Sequence, residues 1–138
     1  MAKSKPKAYK HETSVAKLFS EWWGSEFKRT PNSGALRWKG VSWTYSDLLP
    51  PDDCPLALEC KIRKAVDIWA ITRPCKLSIH HPVSWWNQSV EDSKRCYEET
   101  GKVIHPFLIF REDGKKNYLG IEADLFVALF GSNARFGA

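Results

Sequence analysis

The sequence contains no apolar run of the roughly 20 residues that a bilayer-crossing helix needs, and no signal-peptide pattern opens it. A membrane role is therefore not expected, and a cytoplasmic location is. The cysteines are few: Cys54, Cys60, Cys75 and Cys96. They show neither Cys-x-x-Cys spacing nor a matched histidine pair, which argues against a structural zinc and fits four free thiols in a reducing compartment. No internal repeat is visible. Acidic residues are outnumbered, 16 against 21 Lys and Arg, for a formal net charge of +5. Such an excess favours a polyanionic partner through counterion release from phosphates, although a merely basic soluble protein fits it as well.

What is present suits one compact domain. The chain has 138 residues, 43% hydrophobic and 27% charged, a balance that folds rather than staying disordered. Seven Trp and seven Phe are a heavy aromatic load for a small core, leaving rings available for a binding face. Residues 1–10 hold four lysines and read as a flexible basic tail, with a single domain over 11–138. Val15, Ala16, Phe19, Trp22 and Trp23 recur at helical spacing from about Lys10 to Trp23, and Gly24 is the expected stop. A short strand is expected over Phe27 to Thr30, a turn or open loop over Thr30 to Gly34, and an aromatic strand over Leu36 to Tyr45. A turn over Leu49 to Pro55 precedes a strand from Leu56 to Ile62. Residues 64–82 resist assignment. Ser84 to Thr100 reads as a helix capped by Ser84, with Trp86, Val90 and Tyr97 on one face, closed by Gly101. Strands over Val103 to Arg111 and Asn117 to Ile121 flank a hairpin turn at Glu112 to Lys115, and Leu125 to Phe130 suggests a short closing helix. This order predicts an α/β sandwich around a mixed central sheet.

The chemistry concentrates in Leu56-Ala57-Leu58-Glu59-Cys60-Lys61-Ile62. Side chains alternate across a strand, so Leu56, Leu58, Cys60 and Ile62 point into a core while Glu59 and Lys61 share the other face, about 6 to 7 Å apart. An ordinary solvated strand face explains those seven residues equally well. The preceding hairpin changes the balance. With its turn near Asp52 and Asp53, antiparallel pairing sets Ser46 opposite Glu59 and Asp47 opposite Leu58, bringing Asp47 near Glu59. Two such carboxylates repel unless a cation lies between them, and oxygen-only ligands suit Mg²⁺ or Mn²⁺. Asp52 and Asp53 are rivals for the metal role, but the turn tip lies roughly 20 Å along the strand from Glu59, so they read as turn formers. Glu12 falls on the apolar face of the first helix: either the helix dipole satisfies it, or it completes the metal site. His80, His81 and His105 share no ligand spacing and read as surface or turn histidines. Trp85 and Trp86 cannot share a helix face, so one of them should be partly exposed.

The ordered set resembles the PD-(D/E)xK nucleases, and within them the archaeal-type and phage Holliday junction resolvases. It runs from the helix carrying Glu12 through Arg29-Thr30-Pro31-Asn32-Ser33-Gly34, Asp47-Leu48-Leu49-Pro50-Pro51 and Pro55 to Lys61. It continues through Trp86-Asn87-Gln88 and Lys102 to Arg111. It departs at Ser46, where glycine is usual, and in the aromatic stretch from Arg37 to Tyr45. The resemblance implies a restriction-endonuclease-like α/β fold and a Mg²⁺-dependent DNA endonuclease, with Mn²⁺ able to substitute. Asp47, Glu59 and the Cys60 backbone carbonyl would hold the metal. Lys61 would act on the attacking water and the scissile phosphate, and Glu12 would serve a second metal or a metal-bound water. Arg29, Ser33, Arg37 and Lys39 would lie along the DNA backbone, and Gln88 would support the site. The expected partner is four-way or other branched DNA, cut in recombination by a homodimer whose two-fold symmetry matches the junction. A nicking, repair or restriction-like nuclease on the same fold, or a catalytically silent nucleic-acid-binding module, are the competing readings. The intact Asp47, Glu59 and Lys61 set disfavours the last.

Overall fold

The computed structural model describes residues 6–30 and 43–131. Helix α1 spans Lys7–Trp23, so Lys7 to Lys10 belong to its first turn rather than to a basic tail. Pro6, which cannot continue a helix backwards, marks its start, and the Pro6 carbonyl accepts from the Lys10 amide at 3.1 Å. Gly24 ends it in the left-handed conformation (φ 91°), its amide donating to the Ser20 carbonyl. His11, Glu12, Val15 and Ala16 form the buried stripe.

Two short strands follow, β1 (Lys28–Arg29) and β2 (Leu48–Leu49), paired antiparallel with Arg29 opposite Leu48. Strand β3 (Leu56–Arg63) runs parallel to β4 (His105–Glu112), in a register that sets Glu59 beside Leu108. Antiparallel β5 (Tyr118–Gly120) completes a mixed sheet ordered β3-β4-β5. Helix α2 (Pro82–Thr100) carries the crossover from β3 to β4, as a parallel pair requires, and α3 (Ala123–Phe130) closes the described chain.

Alternation along β3 divides the core in two. Leu56, Leu58 and Cys60 pack with Val15 and Ala16 of α1, and with Phe27, Leu48, Phe107 and Ile109. Ala57 on the other face packs with Cys96 of α2, Ile104, Trp43 and Tyr45. Farther along α2, Trp85 packs on Leu108 and Phe110. The sheet thus lies between α1 and α2, an α/β restriction-endonuclease-like arrangement. Among the described residues no helix is long and apolar enough to cross a membrane.

Several expectations are corrected. The strand expected over Leu36 to Tyr45 lies mostly outside the described residues. Its described end, Trp43 to Tyr45, is irregular and buries two rings edge-to-face, 5.1 Å between centroids, beneath α2. Helix α2 is capped not by Ser84 but by His81, whose Nδ1 accepts the Val83 amide at 3.1 Å. Nor is its buried face Trp86, Val90 and Tyr97: Trp85, Ser89, Ser93 and Cys96 are buried instead, and Tyr97 is exposed. Apolar counting chose the wrong stripe because, beyond Trp85, α2 presents small side chains, Ser89, Ser93 and Cys96, to the sheet. His81 is buried rather than at the surface. Trp85 is buried and Trp86 half-buried, the division expected of two rings that cannot share a face.

Candidate active site

Among the described residues β3 is an edge strand of its sheet, so its outer backbone groups need partners. Asp47 supplies two. Its amide donates to the Leu58 carbonyl at 3.2 Å, and its Oδ2 accepts the Cys60 amide at 2.7 Å. This is the register that sets Asp47 opposite Leu58. Thr30 fixes the residue from the other side, its amide and hydroxyl donating to the Asp47 carbonyl at 3.0 and 2.8 Å. Ser46 is used rather than merely tolerated: its hydroxyl donates to the Leu48 carbonyl and accepts from Trp43 Nε1, at 2.8 and 2.9 Å.

Glu59 and Lys61 project from the α2 side of the same strand. Lys61 Nζ lies 3.5 Å from Glu59 Oε1, with Glu59 buried and the ammonium partly open to solvent. Asp47 lies close enough for its charge to act on the Glu59 carboxyl. Burial and then the Asp47 charge push the Glu59 carboxyl up to about 8, against the pull of Lys61. Asp47 is also raised by burial, opposed by the Cys60 amide and Lys61. Because a residue's N–H and C=O point to the same edge of an extended strand, the Cys60 carbonyl faces the Asp47 side. The Cys60 thiol is turned into the α1 core and is driven far up by burial, which leaves it packing rather than reactive.

The other flank is built by α1. Glu12 is buried and accepts from Arg29 Nε at 2.8 Å, while the Arg29 guanidinium lies over the Tyr9 ring, 4.3 Å from its centroid. Burial and the Asp47 charge raise the Glu12 carboxyl; Arg29 and Lys61 oppose them. Arg29 is thus engaged inward by Glu12 and Tyr9, not displayed along an outer surface. Gln88 is exposed and reaches the site indirectly, donating to Asp92 Oδ1 at 3.1 Å. Asp52 and Asp53 are exposed in the turn before β3, and Asp53 accepts from Trp23 Nε1 at 3.1 Å. Ser33, Arg37 and Lys39 lie outside the described residues.

Two residues that sequence reasoning missed bear on this centre. Asp92 projects from α2 close enough for its charge to raise both Asp47 and Glu59, and Arg95 restrains it at 3.4 Å. Its signal was positional, since it lies between Ser89 and Cys96 on the inward stripe. His11 is buried beside Glu12, its Nε2 2.9 Å from Asn117 Oδ1, and burial lowers its pKa. It falls four residues before Val15, on the apolar face.

Among the described residues no three His, Cys, Asp or Glu side chains form a ready ligand group. The donors that do converge are Asp47 and Glu59, beside the Cys60 carbonyl. That set fits Mg²⁺, which takes one or two carboxylates and fills its octahedron with water and substrate phosphate. Two neighbouring carboxylates, one of them buried, repel each other when both are ionised, and a divalent cation between them relieves that repulsion.

Residues 3–134 match the model of one protein family, described as "Phage putative PDDEXK endonuclease". Comparison with curated proteins and with solved structures returns no significant match.

Proposed function

Because the chain belongs to the phage PDDEXK endonuclease family, a nuclease family of the PD-(D/E)xK superfamily, we propose that it is a Mg²⁺-dependent endodeoxyribonuclease acting on branched DNA, with Asp47, Glu59 and Lys61 at its catalytic centre. The observation that carries this reading is Asp47 pinned to the edge of β3 by the Cys60 amide at 2.7 Å, beside buried Glu59 with the Lys61 ammonium 3.5 Å from it. Asp47, Glu59 and the Cys60 carbonyl would hold the metal. When bound, Mg²⁺ would polarise the phosphoryl oxygen and lower the pKa of its water.

The chain's own residues supply the rest. Lys61 stands on a rigid strand, where its ammonium orients the attacking water and offsets charge gathering on the scissile phosphate. Arg29 holds Glu12 beside the centre, where its carboxylate would help hold a second metal. Gln88 steadies Asp92 on the opposite wall. Ser33, Arg37 and Lys39, in the stretch leading to Asp47, would follow the DNA backbone, and the net charge of +5 supports a polyanionic substrate.

The finer reading is a resolvase of four-way junctions acting as a homodimer, supported by the ordered motif set and by the match between a two-fold dimer and a two-fold junction. Cleavage of four-way, flapped, nicked and linear DNA by the full chain with Mg²⁺ tests it. Paired cuts confined to opposed strands of the junction are expected. Equal cutting of linear duplex would replace the resolvase with a general nicking or restriction-like enzyme. Tight binding without cutting of any substrate would leave a binding module.

A further inference from the structure

The segment between β3 and α2 presents large apolar side chains to solvent instead of burying them. Of the twelve exposed large hydrophobic residues described, five fall here: Ile68, Trp69, Ile71, Leu77 and Ile79. Trp69 is 69% exposed and Ile79 76%. Cations lie among them. Arg63, Lys64, Arg73 and Lys76 outnumber the carboxylates beside them: Asp67, which Arg73 pairs, and Glu112 and Asp113 at the end of β4.

The ring sits on an ordered support. Residues Ile68–Thr72 form a 3-10 helix whose Ala70 is buried. The Ala70 carbonyl accepts from the Arg73 amide at 3.2 Å and lies 3.2 Å from His81 Nε2. Since His81 Nδ1 accepts the Val83 amide, its Nε2 carries the proton and donates to Ala70. The Thr72 hydroxyl donates to the Trp69 carbonyl at 2.7 Å. One histidine therefore ties the Trp69 turn to the start of α2, and the indole is held outward on a fixed base.

We propose that Trp69 is a stacking platform for an unpaired DNA base close to the cleaved phosphate, with Lys64 and Lys76 on the flanking phosphates. The proposal rests on the nuclease reading above for the identity of the nucleic acid. An aromatic face interleaved with cations is the chemistry that holds single-stranded nucleic acid, because every base has a π-face while only the backbone carries charge. A paired duplex hides its base faces, so such a platform selects DNA that is already open. Its position is bounded as well: eight residues separate Lys61 from Trp69, so the two lie at most about 28 Å apart. That is within one turn of B-DNA, about 34 Å. Whatever Trp69 grips on a substrate seated at Lys61 is therefore close to the reacting bond.

The test uses the full chain in EDTA, so that binding is read without cleavage. Probes are a paired duplex and the same duplex with unpaired nucleotides at a flap, one of them 2-aminopurine. Trp69→Ala should weaken binding of the flapped probe roughly tenfold or more, the scale of losing one stacked base, and leave the paired probe within about twofold. It should also abolish the fluorescence quenching of 2-aminopurine, and Trp69→Phe should retain both. Because Trp69 is exposed, its variants should melt with the parent chain. Equal affinity of parent and Trp69→Ala for the flapped probe overturns the proposal, as does equal loss on both probes. A fall from dimer to monomer in Trp69→Ala with unchanged DNA affinity overturns it too, and assigns the patch to a second copy of the chain. Selective binding by a parent chain that never cleaves in Mg²⁺ would keep the platform and remove the nuclease; cleavage with a silent Trp69 would do the reverse.

Discussion

The Asp47 carboxylate accepts the Cys60 backbone amide at 2.7 Å, locking an acidic side chain onto the edge of the strand that carries Glu59 and Lys61. A side chain here replaces a neighbouring strand's carbonyl. The same contact that satisfies the sheet edge holds Asp47 against Glu59 without relying on a mobile loop.

Asp47→Asn should therefore abolish cleavage while preserving the fold, since the amide oxygen can still accept from Cys60. Asp52→Asn should retain nearly all activity, because Asp52 is exposed at the turn. Parallel cleavage assays and melting curves on the two variants check this. An inactive Asp52→Asn with an active Asp47→Asn would move the metal site to the turn.

Lys61→Ala should reduce the single-turnover rate roughly a hundredfold or more while changing DNA affinity little, the pattern of a positioned electrostatic group lost from the transition state. Lys39→Ala, in the stretch expected along the DNA backbone, should instead weaken binding modestly and lower its salt slope by about one unit. Identical affinity losses with unchanged rates in both variants would make Lys61 a simple phosphate contact.

Metal dependence gives a third expectation. Cleavage should require Mg²⁺ or Mn²⁺ and cease with excess EDTA. Ca²⁺ should permit binding with little turnover, because it accepts looser and larger coordination than Mg²⁺. Undiminished cutting in EDTA would remove the metal from the mechanism.

The raised carboxyls make the metal-free protein pH-sensitive. Glu59 binds its proton more tightly folded than unfolded, with a folded value of about 8 against an ordinary one of 4.5. Between those values the native state holds more protons than the unfolded chain, so stability falls as pH rises. Glu12 and Asp47 shift in the same direction. The melting temperature without metal should decline from about pH 5 to pH 8, and Glu59→Gln should flatten that slope. Added Mg²⁺ should stabilise more at pH 8 than at pH 5, since it binds the deprotonated pair. A flat profile in the parent chain would contradict the raised Glu59 carboxyl.

The Glu12–Arg29 pair gives the last. Arg29→Ala should cost roughly 1.5–3 kcal/mol, the range for a hydrogen bond to a charged group, by stranding a buried carboxylate. Adding Glu12→Gln should recover much of that loss in urea melts, because a neutral amide leaves no unpaired charge. An additive double variant would show that the two side chains do not depend on each other.

Much of this was legible in order and type. Alternation alone put Leu56, Leu58 and Cys60 on one side of β3 and Glu59 with Lys61 on the other, because strand periodicity is a property of covalent geometry. Gly24 and Gly101 marked helix ends for a similarly local reason, and both adopt the left-handed backbone expected of such stops. The spacing of Glu12 from Val15 and Ala16 placed it on the inward face of α1.

Tertiary structure decided what local patterns cannot encode. Apolar periodicity chose Trp86 and Val90 as the core stripe of α2, but the sheet received Trp85, Ser89, Ser93 and Cys96. Which stripe faces inward depends on how the crossover sets the helix over β3 and β4. The same packing brought the Asp92 charge within reach of Asp47 and Glu59, across more than thirty residues of chain and with no local signature. It also paired Arg29 with Glu12. The sequence by itself determined which strand carries the carboxylate and the ammonium and that they share a face, since that follows from two-residue alternation. Only the fold decided that Asp47 would close the strand's edge beside a buried Glu59, because that depends on burial and on backbone groups left unpaired at the margin of a sheet.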